Sequence, residues 1–319
     1  MAARRSGGCS KADESTEDPA RGPGSGLGGT GPGLVLLAAI VGTAAAISSA
    51  PSPMAAQDLR FTRLSSAAPT GPARSSPSAS WADFDGDGDE DLYVLNGFAS
   101  LADDPEPQPD ELYRNDGDGS FTVLPGHPLV DHPTFSGSAT WGDYDNDGEA
   151  NVFVANQRVA DNRLFRNDGG GSFTRIREGD AVNDGGRSFS AAWVDVDNDG
   201  WLDLHVLNGR DGDGGQVDFL YRNDGRGALE RVPAGPELPF LAEALPSGGA
   251  AWADYDGDGD PDLFLPVQGA GPSRLFRNEG DWHFTEATGE TGLDPAPLPG
   301  WPTGSVAHWV DVDGDARLD

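Results

Sequence analysis

One phrase recurs along the chain and constrains the fold more than any other feature of the sequence. It begins with Trp-x-Asp, continues through an acid-rich stretch with Asp at alternate positions, and ends in an apolar run. The copies are WADFDGDGDEDLYVLN (81–96), WGDYDNDGEANVFVAN (141–156), WVDVDNDGWLDLHVLN (193–208), WADYDGDGDPDLFLPV (252–267) and the shorter WVDVDGDARLD (309–319). Successive copies start 52–60 residues apart, which is too long a period for ankyrin or tetratricopeptide units and is typical of a four-stranded propeller blade.

A second phrase alternates with the first and predicts a β-hairpin. Its copies are ELYRNDGDGSFT (111–122), RLFRNDGGGSFT (163–174), FLYRNDGRGALE (219–230) and RLFRNEGDWHFT (274–285). Each has two short β-prone runs around Asn-Asp-Gly or Asn-Glu-Gly, a strong hairpin signal. We therefore predict four strands per repeat, with the acidic loop between strands one and two. Because strand two is apolar at nearly every position, we expect it to be buried on both faces between neighbouring blades.

The predicted fold class is all-β, a β-propeller of four-stranded blades with four complete blades and a partial fifth. The repeats are assigned to residues 81–140, 141–192, 193–251, 252–308 and, truncated, 309–319. Before them we assign a polar lead (1–33), a hydrophobic segment (34–50) and a linker (51–80) that includes a candidate closing strand at 58–64. Because the sequence stops within the fifth repeat, we expect the chain to be a fragment of a longer protein.

The hydrophobic segment LVLLAAIVGTAAAISSA (34–50) bears on localisation. It is shorter than the ~20 residues of a spanning helix and slightly long for the core of a signal peptide. A cleaved secretion signal ending at Ala50, an uncleaved N-terminal anchor, and a misassigned start or other targeting segment all stay open. The first two alternatives place residues 58–319 outside the cytosol, secreted or at the cell surface, where calcium is plentiful.

Charge narrows the classes of partner. The formal net charge is −32, and the four acidic and four basic side chains of residues 1–57 cancel, so the whole excess lies in 58–319. Such a field repels nucleic acid and anionic membranes, which leaves membrane contact only through residues 34–50 if they stay uncleaved. The single cysteine, Cys9, allows no internal disulfide, and repeated metal sites could stabilise the fold instead.

The acidic loops have the composition of calcium sites. Calcium takes about six to eight oxygen ligands from carboxylates and backbone carbonyls, whereas magnesium requires stricter octahedral geometry. The pattern Asp-x-Asp-x-Asp-Gly-x-x-Asp offers side chains at positions 1, 3, 5 and 9 and a backbone carbonyl at position 7. We therefore predict about one Ca²⁺ per repeat. The predicted ligands, loop by loop, are Asp83, Asp85, Asp87, Asp89 and Asp91; Asp143, Asp145, Asp147, Glu149 and Asn151; Asp195, Asp197, Asp199, Trp201 and Asp203; Asp254, Asp256, Asp258, Asp260 and Asp262; Asp311, Asp313, Asp315 and Asp319.

The residues between the ligands support a loop that winds round an ion. Position 4 is Gly or Asn and position 6 is Gly in the four complete loops, as expected where the backbone needs positive φ. The neutral Asn151 should weaken the second site, and Ala316 replaces the position-6 glycine of the fifth loop. An EF-hand is excluded because position 12 is Val or Leu instead of Glu, and because the flanking sequences predict strands instead of helices.

These two alternating phrases resemble the FG-GAP/VCBS-type calcium repeats of integrin α-subunit β-propellers. The pairing of Trp-x-Asp-x-Asp-x-Asp-Gly with Tyr-Arg-Asn-Asp-Gly-x-Gly-x-Phe-Thr is most similar to the secreted cartilage acidic protein/UnbV (ASPIC) group. The resemblance covers about 58–319. It implies a seven-bladed propeller with calcium loops between strands one and two of each blade, and no catalytic residues.

The function predicted is a calcium-binding extracellular module for interaction or adhesion, with a protein or glycan partner and no enzyme activity. The five histidines are scattered, and no Ser or Cys lies in a nucleophile motif. The repeated Trp residues are expected to pack between blades, and Arg114, Arg166, Arg222 and Arg277 to pair with nearby carboxylates. Loops 99–110 and 289–304 are the predicted partner-binding segments. The alternative is the propeller of a secreted, calcium-dependent enzyme acting on polysaccharides, with its catalytic residues in a missing C-terminus.

Overall fold

The computed structural model describes residues 76–97, 107–158, 161–209, 215–267, 272–290, 306–312, 314 and 318. Strands account for almost all of the regular structure in these residues, with two short 3-10 turns at Asp180–Val182 and Pro239–Leu241. No helix of the described residues is long and apolar enough to cross a membrane. The predicted hydrophobic segment, the candidate closing strand 58–64 and the ligands Asp313, Asp315 and Asp319 lie outside the described residues.

Sixteen strands of the described residues form four antiparallel sheets, each with its strands in sequential order. Blade 1 contains β1 (Ser78–Ala82), β2 (Asp91–Leu95), β3 (Glu111–Asn115) and β4 (Phe121–Val123). Blade 2 contains β5 (Ser136–Gly142), β6 (Asn151–Asn156), β7 (Arg163–Asn167) and β8 (Phe173–Ile176). Blade 3 contains β9 (Ser188–Val194), β10 (Asp203–Asn208), β11 (Phe219–Asn223) and β12 (Leu229–Arg231). Blade 4 contains β13 (Ala251–Ala253), β14 (Asp262–Leu265), β15 (Arg274–Asn278) and β16 (Phe284–Glu286).

This arrangement confirms the all-β class and the four-stranded blade. The first strand of each blade starts before the repeated Trp, so the boundaries predicted from the sequence are a few residues late. In particular, β1 begins at Ser78, inside the segment 51–80 that the sequence assigns to a linker. The reason is that the repeated phrase marks the loop, whereas the start of strand one is a run of small polar residues without a strand signature.

The hydrophobic core lies between blades. Every residue of β6 and β10 is buried, and β2 and β14 each have one partly exposed residue. One cluster joins blades 1 and 2 through Tyr93, Val154 and Phe165, and two equivalent clusters join blades 2 to 3 and 3 to 4. The expected burial of strand two on both faces is therefore confirmed.

Trp141 and Trp193 each connect their own blade to the one before it. Trp141 Nε1 donates to Ser80 Oγ of blade 1 at 3.0 Å. Trp193 Nε1 donates to the Thr140 carbonyl oxygen of blade 2 at 3.3 Å, and its ring stacks on Tyr144 at 5.5 Å between centroids. These contacts confirm for Trp141 and Trp193 that the repeated tryptophan packs between blades.

Candidate metal centres

The four complete acidic loops connect the first and second strands of the four blades and share one backbone course. In the first loop, Asp83 Oδ1 accepts the backbone N–H groups of Gly86 (2.9 Å) and Asp87 (3.1 Å), and Asp83 Oδ2 accepts that of Gly88 (2.9 Å). The backbone of the loop therefore curves around the carboxylate of the Asp at position 1. As expected, φ is positive at position 4, with 54° at Asn146, and at position 6, with 93° at Gly88.

The winding brings carboxylate oxygens of each loop close together. In every loop one oxygen from each of three acids lies within 4.8 Å of the other two. These acids are Asp83, Asp85 and Asp91; Asp143, Asp145 and Asp147; Asp195, Asp197 and Asp199; and Asp254, Asp256 and Asp262. In each blade the cluster lies at the same end as the hairpin between the third and fourth strands. The strands are antiparallel, so the loop between the first and second strands and the loop between the third and fourth strands come to the same end.

The Asp at position 9 fixes the loop to the hairpin. Asp91 is buried, and its carboxylate accepts the backbone N–H groups of Phe84 at 3.1 Å and of Asn115 at 2.7 Å. Burial raises the pKa of Asp91 to about 6, although these two hydrogen bonds act in the opposite direction. The same arrangement recurs at Asp203 and Asp262, where burial raises the pKa to about 7 and about 6.

Two buried carboxylate oxygens indicate that the oxygen atoms of these loops suit a cation. Asp85 Oδ1 and Asp197 Oδ1 are buried without a hydrogen-bond partner among the described residues. A buried carboxylate oxygen without a donor is unfavourable, and burial together with the neighbouring Asp87 raises the pKa of Asp85. A hard divalent cation supplies the missing positive charge, and all-oxygen donors are the ligands that calcium prefers. In the first loop, Asp83, Asp85 and Asp91 would hold such an ion.

In the second loop the corresponding carboxylate oxygen, Asp145 Oδ1, has a hydrogen-bond donor within the same loop. Asn151 Nδ2 donates to Asp145 Oδ1 at 2.8 Å, and Asn151 Oδ1 accepts the backbone N–H of Asn167 at 2.8 Å. Asn151 therefore keeps the bond to the hairpin that Asp91 makes, but it directs a donor into the acid cluster instead of an acceptor. This geometry adds a physical reason to the expectation that the second site is weak.

The residues at positions 5 and 7 of the loops make two different kinds of contact. Asp87 Oδ1 accepts the backbone N–H of Asp89 at 3.0 Å, and the side chain of Asp89 lies beside the hairpin residue Gly117, where a Cβ would approach Asp89 Oδ2 to 2.6 Å. Asp147, Asp199 and Asp258 accept the equivalent N–H, and Glu149, Trp201 and Asp260 likewise lie beside the glycine of their own hairpins. The backbone carbonyl at position 7 stays a predicted ligand. In the fifth loop, Gly314 N–H donates to Asp311 Oδ1 at 2.6 Å, the same first turn as in the complete loops.

The sequence analysis missed the asparagine of each hairpin. Asn167 is fully buried, and its Nδ2 donates both to the Ala150 carbonyl of its own acidic loop (3.2 Å) and to the Phe84 carbonyl of the preceding loop (3.0 Å). Asn223 and Asn278 make the same pair of bonds, to Leu202 and Tyr144 and to Pro261 and Val196. Asn occurs in all four hairpin phrases, and this was the signal available in the sequence. The predicted turn was by itself a sufficient explanation for the Asn, so no contact with the preceding blade was predicted.

The blades and their loops define a class: a repeat protein of propeller type, with a candidate cation loop between the first two strands of each blade. A family model described as FG-GAP-like repeat matches residues 143–206 and 254–319. These two segments therefore match FG-GAP-like repeats, which supports the resemblance that the motifs of the whole chain indicated.

Two further comparisons concern single proteins. No curated protein matches the chain. Among solved structures, it is similar to an Agrocybe aegerita lectin whose structure is described as the basis of specific recognition of non-reducing terminal N-acetylglucosamine. The identity is 19%, the TM-score is 0.44, and the match covers 66% of this chain and 52% of the lectin chain. The chain thus spans about half the length of that structure.

Proposed function

We propose that this chain is a calcium-binding, non-catalytic interaction module that acts outside the cytosol. The observation that carries the proposal is the pair of buried oxygens, Asp85 Oδ1 and Asp197 Oδ1, that lie in acid clusters without a donor. Calcium is favoured over magnesium because a loop of carboxylates and carbonyls adapts to its larger, more flexible coordination shell. Calcium supplies positive charge that cancels the repulsion among the loop acids.

Binding of the ion is coupled to the order of the blades. Each loop is bonded to its own hairpin through position 9, and the hairpin asparagines of blades 2 to 4 are bonded to the loop of the blade before. An ion that fixes one loop therefore also stabilises the interface with the next blade. By analogy with other extracellular modules, we expect weak sites with dissociation constants of about 10⁻⁴–10⁻³ M.

The partner proposed is an extracellular protein or glycan. Support comes from the excess negative charge of residues 58–319, which disfavours nucleic acid and anionic membranes. Loops 99–110 and 289–304 are the proposed contact segments, of which 107–110 and 289–290 are described. Adhesion is the biological role that this proposal implies.

Thermal unfolding of the full chain tests calcium binding. Melts are recorded in millimolar calcium, in millimolar magnesium and in chelator, for the wild type, for Asp85→Asn and for Asp118→Asn. A site in tenfold excess of calcium over its dissociation constant adds about 1.4 kcal/mol, so we expect calcium alone to raise the midpoint by several degrees.

The two variants locate the effect. Asp85→Asn removes a loop carboxylate and should lose part of the calcium response, whereas Asp118→Asn removes a hairpin carboxylate of the same blade that accepts hydrogen bonds from Ser120, and it should keep the response. A midpoint that is the same in calcium and chelator, or a shift that magnesium reproduces in full, would contradict the proposal.

A further inference from the structure

Arg222 binds a different partner from the three arginines at the same position of the other hairpins. Arg114, Arg166 and Arg277 each pair with the acid two residues later, Asp116, Asp168 or Glu279, at 2.7–2.9 Å. Arg222 instead places Nη2 2.8 Å from Asp197 Oδ2 and 3.6 Å from Asp199 Oδ2. Both acids belong to the cluster of the third acidic loop.

A single residue on the neighbouring strand explains the difference. In the other hairpins a threonine lies opposite the arginine and donates its hydroxyl to the hairpin acid: Thr122 to Asp116, Thr174 to Asp168 and Thr285 to Glu279. In blade 3, Glu230 lies opposite Arg222. A carboxylate cannot donate to Asp224 and repels it, and Asp224 accepts the backbone N–H groups of Arg226 and Ala228 instead. Arg222 is thereby left to reach the acidic loop.

The contact extends across the interface between blades 3 and 4. Trp282, in the hairpin of blade 4, donates Nε1–H to Asp197 Oδ2 at 2.8 Å. The Arg222 guanidinium lies over the Trp282 ring, 5.7 Å from its centroid. Asp197 is only 12% exposed, so one partly buried carboxylate oxygen receives donors from two blades while its other oxygen stays without a partner.

A cation at this place competes electrostatically with a metal ion. The guanidinium cancels part of the negative charge of the four acids Asp195, Asp197, Asp199 and Asp203, and its charge repels a divalent ion held by Asp197 Oδ1. In the absence of calcium the same guanidinium relieves repulsion between Asp197 and Asp199. Calcium should therefore stabilise the third loop less than it stabilises the first loop, where Arg114 pairs with Asp116 instead of with the loop acids.

We propose that Arg222 is a built-in counter-ion of the third acidic loop, which weakens calcium binding there and holds blade 3 to blade 4 when calcium is absent. This inference rests on the proposed function, since it assigns different calcium affinities to loops that share one motif. Glu230 is the positioning residue that directs Arg222 to the loop.

Calcium titration of the full chain by calorimetry, after removal of the metal with chelator, tests the inference. We expect Arg222→Gln to tighten one site by about tenfold, the effect of removing a like charge from a partly buried site. Arg222→Lys, which keeps the charge, should leave the isotherm close to that of the wild type. Arg166→Gln, the matched change at an arginine that pairs with its own hairpin acid, should leave the isotherm unchanged.

Two further measurements make the test independent of the folding of one variant. Glu230→Thr restores the threonine of the other hairpins, should return Arg222 to Asp224, and should tighten the same site with the arginine still present. In chelator, Arg222→Gln should lower the melting midpoint more than Arg166→Gln does. Wild-type binding with no tightening in Arg222→Gln or Glu230→Thr overturns this inference alone, whereas a wild type that binds no calcium overturns the proposed function and the inference with it.

Discussion

Asp110 is a buried carboxylate at the end of blade 1 opposite the acidic loop. Its Oδ1 accepts the Asn96 backbone N–H at 2.7 Å, and its Oδ2 accepts the hydroxyls of Ser136 at 2.9 Å and Tyr93 at 3.2 Å. Burial raises its pKa to about 6 from an ordinary value of 3.8, against the effect of these hydrogen bonds. Because the folded state takes up this proton before the unfolded state does, the free energy of unfolding should rise as pH falls from about 6 to about 4.

Replacing Asp110 with Asn should remove this dependence of the free energy of unfolding on pH. The charge that is desolvated above pH ~6 disappears, so we expect Asp110→Asn to be more stable than the wild type near pH 7, by at most about 3 kcal/mol. Both hydroxyls keep other acceptors, since Tyr93 also donates to the Leu129 carbonyl and Ser136 lies 3.0 Å from Thr134 Oγ1. Urea unfolding in chelator at about pH 7 and pH 5 measures the effect. A variant that is less stable near pH 7 and gains as much as the wild type on acidification would contradict it.

Asn151 is the residue that sets the second acidic loop apart. Asn151→Asp replaces the N–H that now reaches Asp145 with a carboxylate oxygen in a fully buried position. We expect lower stability in chelator, because a buried charge is added beside another carboxylate, and a larger stabilisation by calcium. The reverse change, Asp91→Asn in the first loop, should have the opposite effect on both quantities. Melts of both variants in calcium and in chelator measure this, and equal shifts under the two conditions would show that position 9 serves packing alone.

Spacing along the loop explains why three acids of each complete loop lie together, while their role as metal ligands stays a prediction. Alternating Asp residues with Gly or Asn between them indicated which oxygens come together, because a nine-residue loop has few ways to wind. The partners of Asp197 could not be predicted, since Trp282 comes from the next blade and Arg222 is redirected by Glu230 on the neighbouring strand. Such contacts depend on how blades pack and not on the local motif.

At the scale of the elements, the hairpin connects adjacent blades as well as its own strands. Asn167, in the hairpin of blade 2, bonds to the loop of blade 1, whereas the described bond of Asn115 Nδ2 stays within blade 1, to the Glu90 carbonyl. Strand two could be recognised from its apolar sequence alone. The start of strand one could not, because sequences such as SASWA begin with small residues that carry no strand signature, and all five residues of β1 are only partly buried.

The two asparagines allow the connection between blades to be measured. Asn167→Ala leaves the buried Phe84 carbonyl without its donor, so we expect a loss of roughly 2–3 kcal/mol in the free energy of unfolding. Asn115→Ala, at the matched position, should cost about 1 kcal/mol, because only bonds within blade 1 are lost. Urea unfolding of both variants in saturating calcium gives the comparison. Equal losses would mean that the bond to the preceding blade adds no stability.

At the scale of the whole molecule, the distribution of charge limits the stability of the metal-free protein. The excess of −32 lies in residues 58–319, and the acid clusters concentrate it at one end of the blades. Mutual repulsion among these acids opposes folding until cations or salt reduce it. Composition alone predicted the sign of this field, but only the common direction of the four loops shows where it is concentrated.

Salt should therefore substitute in part for calcium. The screening length falls from about 10 Å at 0.1 M salt to about 3 Å at 1 M, so sodium chloride over this range should raise the melting midpoint of the full chain in chelator. In saturating calcium the same increase in salt should raise it less, because each bound ion has already cancelled two charges of its loop. Asp85→Asn, with one loop charge fewer, should respond to salt less than the wild type does in chelator. If salt raises the midpoint equally in calcium and in chelator, the effect comes from burial of apolar surface in general, and repulsion among the loop acids does not limit stability.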